Sequence, residues 1–348
     1  MSTDTGYRLP SLTLTGSHYD IGQGLGRQGA ALVHGHLVKT YAWATVMAFK
    51  HDNRIQAARS LVEQRYPQYW QELAGLANGL GLPFDEVFAW NCRGDLWAMA
   101  PDGCTTVQIP GSFPVIAHNE DGDQGLRPGC ALAAIIPDQG QPFTAFVYPG
   151  SIPGHTFAIN GSGLVLTVNN IRSTLAGGGL PRMVLSRAVL DCTTIDAAQT
   201  LLSGAPRSGA FHLTLAQAGH SRLVSVEFTH GNCSIADITS QSVHANHLVH
   251  AKMASEPQII TASSCSRQDR GQDILDASDG PPDPLSILWD RKRCALPIYR
   301  AQPDDPDNEN TLATAVFKIG RDSVDWAVYD EAGSAARFEN IGLKIATM

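Results

Sequence analysis

Asp102, Gly103, Cys104, Thr105 and Thr106 follow one another directly, and a thiol placed just after a glycine can attack the carbonyl that precedes it. Attack of the Cys104 sulfur on the Gly103 carbonyl gives a thioester. Water resolves it, and Cys104 is left as a new N-terminus carrying both a thiol and a free α-amine. An α-amine has an unperturbed pKa of about 8 and reaches its own side chain, so it can act as the base that activates the sulfur without a separate histidine. Gly103-Cys104-Thr105-Thr106 alone fits an unreactive cysteine opening a strand equally well.

Three further patterns bear on chemistry. Gly24-Leu25-Gly26-Arg27-Gln28-Gly29 matches the glycine fingerprint of dinucleotide sites, but that fingerprint requires a strand before it and a βαβ unit after it. Neither is evident here, and 21–38 reads as the glycine-rich start of a helix. His244, His247 and His250 could hold zinc as a trio, which makes a zinc-dependent hydrolase an alternative reading, although no His-Glu-x-x-His pattern is present. In a strand, 244 and 247 would face opposite sides. Asn160-Gly161-Ser162-Gly163 lacks the spacing of a serine nucleophile elbow and reads as a hairpin turn.

The elements that must position these residues change character along the chain. Apolar residues recur at near-helical spacing between Ile55 and Leu80, and a short helix carrying Val87, Phe88 and Trp90 leads to Asn91-Cys92-Arg93-Gly94-Asp95. After residue 103 come short runs rich in Val, Ile, Thr and Phe, separated by turn residues. Strands are predicted at 105–109, 115–118, 132–136, 143–148, 156–159 and 164–168 as an antiparallel meander. A helix is expected over 181–202, then strands at 211–216, 223–228, 313–318 and 323–329. The Pro- and Asp-rich stretches 276–284 and 302–310 read as surface loops of a single domain. The fold class is α+β, with sheets covered by helices.

The chain has 348 residues, 43% of them hydrophobic and 17% charged, with a formal net charge of −8. It is long enough to bury a stable core without metal or disulfide staples. With no basic field to hold a phosphate backbone, nucleic acid is not an expected partner. No apolar run is long enough to span a membrane and no signal peptide is recognisable, so a soluble, cytoplasmic protein is expected. The seven cysteines include no Cys-x-x-Cys pair, which disfavours a zinc ribbon or a disulfide framework. No cofactor or structural metal is expected.

The order of motifs resembles that of the acyl-coenzyme A:6-aminopenicillanic acid acyltransferase family, cysteine-type N-terminal-nucleophile hydrolases (peptidase family C45). The similar segments are Gly16 to Gly22, Asn91-x-Arg93, Asp102 to Thr105, Ala117 to Asp121, Phe157 to Leu164, Val168-Asn169-Asn170, Asn246-His247, Ser263 to Arg267, and Ile298-Tyr299-Arg300 ahead of Thr311. The resemblance implies an αββα sandwich of antiparallel sheets covered by helices. It also implies a precursor cut between Gly103 and Cys104 into chains 1–103 and 104–348 that stay together.

By the same resemblance Cys104 is the nucleophile, and Asp121 holds its α-ammonium. Asn246 donates to the oxyanion, Asn169 completes that hole through its backbone, and Arg300 favours the thiolate. Asn119 and Glu120 would line the substrate site. Glu120 stands where members of the family often carry an aromatic residue. With Asp123 it suggests a cationic substrate, such as a β-alanyl amide of a biogenic amine. The reaction implied is cleavage of a small-molecule amide through an acyl-thioester, ended by water or by an acceptor amine; an acyl-coenzyme A-dependent N-acyltransferase is the alternative on the same site. The sequence leaves open whether the protein forms a homo-oligomer.

Overall fold

The structure is a computed structural model and describes residues 8–292 and 295–341; Arg293 and Cys294 lie outside the described residues. Two sheets stack between helical layers. The strands are β1 Ser11–Gly16, β2 Gly103–Ile109, β3 Val115–Gly122, β4 Ala131–Pro137, β5 Phe143–Val147, β6 Phe157–Asn160, β7 Leu164–Asn170, β8 Phe211–Gln217, β9 Leu223–Phe228, β10 Cys233–Asp237, β11 Ser242–His244, β12 Asn310–Ile319, β13 Val324–Tyr329 and β14 Phe338–Asn340. One sheet runs β1-β4-β5-β6-β7-β8-β9-β10 and the other β11-β2-β3-β12-β13-β14.

Every strand expected from the pattern of β-branched residues is present, but the meander expected over 105–168 is divided: β2 and β3 belong to the six-stranded sheet, and the run of neighbouring strands in the other sheet is β4 to β10. The ladders are antiparallel except at one edge. There β1, not anticipated from the sequence, pairs in parallel with β4, Ser11 against Leu132 and Gly16 against Pro137. The first helical region therefore supplies a strand to the large sheet as well as covering it.

The helices are α1 His18–Gly35, α2 Tyr41–Met47, α3 Asn53–Arg65, α4 Pro67–Leu80, α5 Phe84–Asn91, α6 Arg93–Leu96, α7 Arg182–Val189, α8 Ile195–Gly204, α9 Ala262–Asp276 and α10 Pro284–Leu288. A single helix over 181–202 is replaced by two. The chain turns at Asp191 to Thr194, where the Thr194 hydroxyl caps α8 by accepting from the Ala197 N–H at 3.1 Å.

The glycine fingerprint has a packing role. On α1 a Cβ added at Gly22 or Gly26 would lie 1.9 Å from the Glu72 carbonyl or 2.5 Å from the Leu76 carbonyl, and one at Gly75 or Gly79 of α4 would strike the α1 backbone at 2.0 and 2.2 Å. Small residues four apart on both helices let the two backbones touch, as they do at tight helix crossings. Of the fingerprint glycines, Gly26 lies in this helix seam, whereas Gly24 packs on Leu14 and Gly29 on Pro149.

Helices α1, α4, α7 and α8 pack their apolar faces on the eight-stranded sheet, joining Leu25, Leu76, Leu166, Leu185 and Phe228 in one core. On the far side α9 and α10 cover the six-stranded sheet, with Leu275, Ile287 and Leu288 against Val107, Ala117 and Val243. Between the sheets, Thr106 donates to Asn169 at 2.7 Å and Gln108 to Thr214 at 2.6 Å, while the Phe157 ring meets His118 and Phe317 edge-on. The layers are α, β, β, α. No described helix is long and apolar enough to cross a membrane.

Candidate active site

β2 begins at Gly103, so Cys104 lies at the very point where the helical region gives way to the sheet. Across the ladder Gly103 faces Asp121 and Cys104 faces Glu120. Side chains alternate along a strand. Cys104 and Thr106, with their partners Glu120 and His118, point into the layer between the sheets, whereas Thr105 and Asn119 point at the covering helices.

The thiol is buried, with 2% exposure. Its Sγ donates toward Glu120 Oε2 at 3.8 Å. Burial, reinforced by the Glu120 and Asp121 carboxyls and opposed by the backbone N–H of Asn170, pushes its pKa well up. In the uncut chain the sulfur is therefore a neutral thiol. Iodoacetamide applied to an uncut chain should label the exposed Cys265 and leave Cys104 unmodified; peptide mapping that found Cys104 alkylated at a comparable rate would contradict this.

The Cys104 backbone N–H donates to Asn246 Oδ1 at 3.0 Å. Which end of the Asn246 amide is oxygen follows from its partners. Arg267 Nη2, which can only donate, reaches the same atom at 2.5 Å, and Asn246 Nδ2 donates to the Asn170 carbonyl at 3.1 Å. In this state Asn246 accepts from the cysteine nitrogen, where the resemblance implied a donor to the oxyanion. The Asn246 backbone N–H is itself held by the Ser264 hydroxyl at 2.9 Å.

Ser264 and Arg267 lie one turn apart on α9, whose first turn is capped by Thr261, so one helix face grips Asn246 twice. The Arg267 guanidinium also donates to the Cys104 carbonyl and, at 2.8 Å, to the Thr105 hydroxyl. Sequence reasoning placed Arg267 in a family-like stretch without giving it a task. The available signal was a helix-compatible i, i+3 pair of polar residues, Ser264 and Arg267. In the structure Arg267 is the cation beside Cys104. Removing it, as in Arg267→Leu, strands buried acceptors and an uncompensated charge; a loss of about 3–5 kcal/mol is expected, read as a fall in the thermal melting midpoint.

Arg300 takes a different place from the one expected. It is bound by Asp305 and Asp307, at 3.1 Å from the latter, and by Glu309 at 2.7 Å. Its guanidinium approaches Gly103: a Cβ built there would lie 3.3 Å from Nη1 and 2.4 Å from Glu309 Oε2. Glu309 in turn accepts the Asp102 N–H at 3.0 Å. Arg300 thus fixes the acidic loop that clasps the residues before Cys104 and does not face the sulfur.

Asp121 is fully buried. One carboxylate oxygen accepts from the Thr311 hydroxyl at 2.7 Å; the other, Oδ2, has no hydrogen-bond partner among the described residues. Burial raises its pKa, while Arg267 and Arg300 oppose the rise. An unpaired buried polar atom costs about 1–3 kcal/mol.

The remaining expected site residues divide. Asn119 faces away from Cys104, donating to the Leu288 carbonyl at 2.6 Å and accepting from Thr314. The Asn169 side chain is spent between the sheets on Thr106, His212 and the His244 carbonyl; the backbone N–H facing the sulfur belongs to Asn170. Glu120 is 1% exposed and accepts from the Tyr148 hydroxyl at 2.9 Å and faces His118 Nε2 at 3.1 Å. Burial raises its pKa well above the usual range, a rise that Asp102 reinforces. It is an interior acid and not a free surface anion that could recognise a cation. Asp123 is engaged by His36 at 2.6 Å, and it lines, with Asp102 and Tyr148, a cavity of about 30 Å³.

His244, His247 and His250 do not converge. The first meets Glu227 at 2.9 Å, the second Ser264 at 2.8 Å and the third Ser225 at 2.8 Å. Among the described residues, the trio whose ligand atoms come within 4.8 Å of one another is Cys104, His118 and Glu120. The geometry withdraws support from a three-histidine zinc centre. Ser162 lies in the β6–β7 hairpin turn, held by Asn160.

The sequence profile of the acyl-coenzyme A:6-aminopenicillanic acid acyl-transferase family matches residues 110–331. A β-alanyl-dopamine/carcinine hydrolase of Drosophila melanogaster is 24% identical over 89% of this chain and 90% of its own length. The 40 kDa form of an acyl-coenzyme A:6-aminopenicillanic-acid-acyltransferase of Emericella nidulans is 25% identical over 83% of this chain and 81% of its own. Among solved structures, penicillin V acylase from Agrobacterium tumefaciens aligns with 67% of this chain and 84% of its own at 15% identity and a TM-score of 0.40.

Proposed function

From the premise that the chain belongs to the acyl-coenzyme A:6-aminopenicillanic acid acyl-transferase family, enzymes that make or break amide bonds, we propose that Cys104 is its nucleophile and is freed by a cut at Gly103–Cys104. The reading is carried by the surroundings of the Cys104 nitrogen. That nitrogen rests on Asn246 Oδ1, and across the ladder from Gly103 a buried carboxylate oxygen of Asp121 stands without a partner among the described residues. A new α-ammonium would satisfy that oxygen.

In the freed chain the α-amine takes the thiol proton, and Sγ attacks the carbonyl of a small-molecule amide. The Asn170 N–H, which already faces the sulfur, is the donor best placed for the oxyanion. The amine then protonates the leaving nitrogen, and water resolves the acyl-thioester. Residues 1–103 and 104–348 remain one fold, held by the β1–β4 ladder. In the uncut chain the cavity beside Asp102 and Tyr148 is about 30 Å³, room for water and not for a substrate.

For the substrate class we favour an amine-bearing acyl group, a β-alanyl amide of a biogenic amine. The support is the name of the Drosophila relative; Glu120 is buried and already engaged, and Asp102 and Asp123 at the cavity are paired with Arg93 and His36, so none of the three adds to it. Kinetics on paired amides test it: kcat/KM for the β-alanyl compound should exceed that for its neutral propionyl counterpart, and equal values would reject the class. Hydrolysis is favoured over transfer. Supplying an acyl-coenzyme A with an acceptor amine should yield no amide product if that is right.

A further inference from the structure

The amine base of a freed N-terminal cysteine does not exist until the chain has been cut, so the cutting step needs another proton acceptor. Among the described residues, the acidic or basic side chain that hydrogen-bonds the Cys104 sulfur is Glu120. Its hydrogen-bond chain can be read atom by atom. The Asn169 amide nitrogen donates to the His244 carbonyl at 3.0 Å, so its oxygen is an acceptor, and the single Thr106 hydroxyl hydrogen goes to that oxygen at 2.7 Å. The Thr106 oxygen, 2.9 Å from His118 Nδ1, must then receive that ring's N–H. A neutral His118 consequently presents a lone pair at Nε2 toward Glu120 Oε2, 3.1 Å away, and the hydrogen between them belongs to the Glu120 carboxyl.

We propose that Glu120 and His118 form an internal proton relay that activates Cys104 for its own release, a role that rests on the cut at Gly103–Cys104 proposed above. As Sγ bonds to the Gly103 carbonyl carbon, the thiol proton passes to Glu120 and the Glu120 proton passes to His118 Nε2. As the C–N bond breaks, His118 returns its proton to Glu120, and Glu120 gives up the proton it took from the sulfur to the departing Cys104 nitrogen. The product is a Gly103 thioester on Sγ with a free α-amine. Water hydrolyses it to a Gly103 carboxylate and regenerates the thiol. Water is the co-reactant, and no oxidant is required.

Two features fit this assignment. Burial holds the resting His118 ring neutral, with a pKa of about 3, and raises the Glu120 carboxyl well above its ordinary range, so the resting pair carries no net charge. The same burial disfavours the imidazolium and drives its proton back as the C–N bond breaks. The relay also has a definite end. Asn169 Oδ1 accepts from both Thr106 and His212, and an amide oxygen that only accepts cannot pass a proton onward to the other histidines.

The test follows self-cleavage by intact mass after cell-free synthesis of the full chain, with thermal melting as a check that each uncut chain is folded. Glu120→Gln keeps the shape and cannot relay; His118→Asn keeps a donor near Thr106 and removes the acceptor facing Glu120. Both should slow the appearance of the fragment beginning at Cys104 by about 10²–10⁴-fold, and formate should restore part of the rate to Glu120→Ala. Folded Glu120→Gln or His118→Asn cut at the wild-type rate overturns the relay while leaving the cleavage reading intact. Should Glu120→Gln fail to fold, His118→Asn decides alone by the same criterion. A wild-type chain that hydrolyses amides and is never cut overturns the cleavage reading and the relay with it.

Discussion

Replacing Cys104 by alanine leaves a full-length chain that hydrolyses no amide. The substitution removes the atom that both cuts the chain and carries the acyl group. Losses of about 10⁶-fold in kcat accompany removal of a hydrolase nucleophile. Because Cys104 is a small buried residue at the start of β2, an alanine there deletes one sulfur and leaves the ladder to β3 in place, so the fold should persist. Intact mass, N-terminal sequencing and an amide assay on the same sample check this. Turnover by an uncut Cys104→Ala chain would exclude cysteine chemistry altogether, and turnover by an uncut wild-type chain would exclude the amine base.

Asp121→Asn should move the acid limb of the pH profile of kcat/KM to lower pH. The sign follows from the charges. In the freed enzyme an ionised Asp121 favours the ammonium form of the α-amine and so raises its pKa; opposite charges within a few ångströms shift a pKa by about 1–3 units. The enzyme needs the neutral amine, so activity is lost as pH falls through that pKa. Replacing the carboxylate by an amide removes the stabilisation of the ammonium, and the limb shifts downward by about 1 unit or more. The plateau should also fall by about 10²–10⁴-fold, because the amine loses the group that orients it. A limb that stays where it is in wild type would mean that Asp121 does not face the amine.

Ten strands were legible because β-branched runs between turn residues leave little choice, whereas β1, β10, β11 and β14 were not. The grouping of elements pointed to sheets covered by helices, and the αββα order was implied by the family resemblance. What was not legible depends on register and packing. Cys104 and Glu120 meet because the turn between β2 and β3 pairs Ile109 with Val115; a shift of one residue would turn every side chain of β3 to the other face. Asn246 and Arg267 reach Cys104 across separations of 142 and 163 residues, and no local spacing records such a meeting. Arg300 illustrates the opposite error. Its position in a familiar order was right, but the acidic residues that claim it, Asp305, Asp307 and Glu309, lie in a stretch read only as a loop. The parallel pairing of β1 escaped notice because a strand of six residues with half-exposed positions carries no continuous apolar run.

That edge strand has a kinetic consequence. Before the cut, β1 and its partner β4 belong to one molecule, and re-forming the sheet after denaturation is a unimolecular search whose rate does not depend on protein concentration. After the proposed cut, β1 and α1 sit on one polypeptide and β4 on another. Recovery then becomes a second-order encounter. Dilution by itself would strand the mature enzyme in pieces, while the uncut Cys104→Ala chain would refold at the same rate at any concentration.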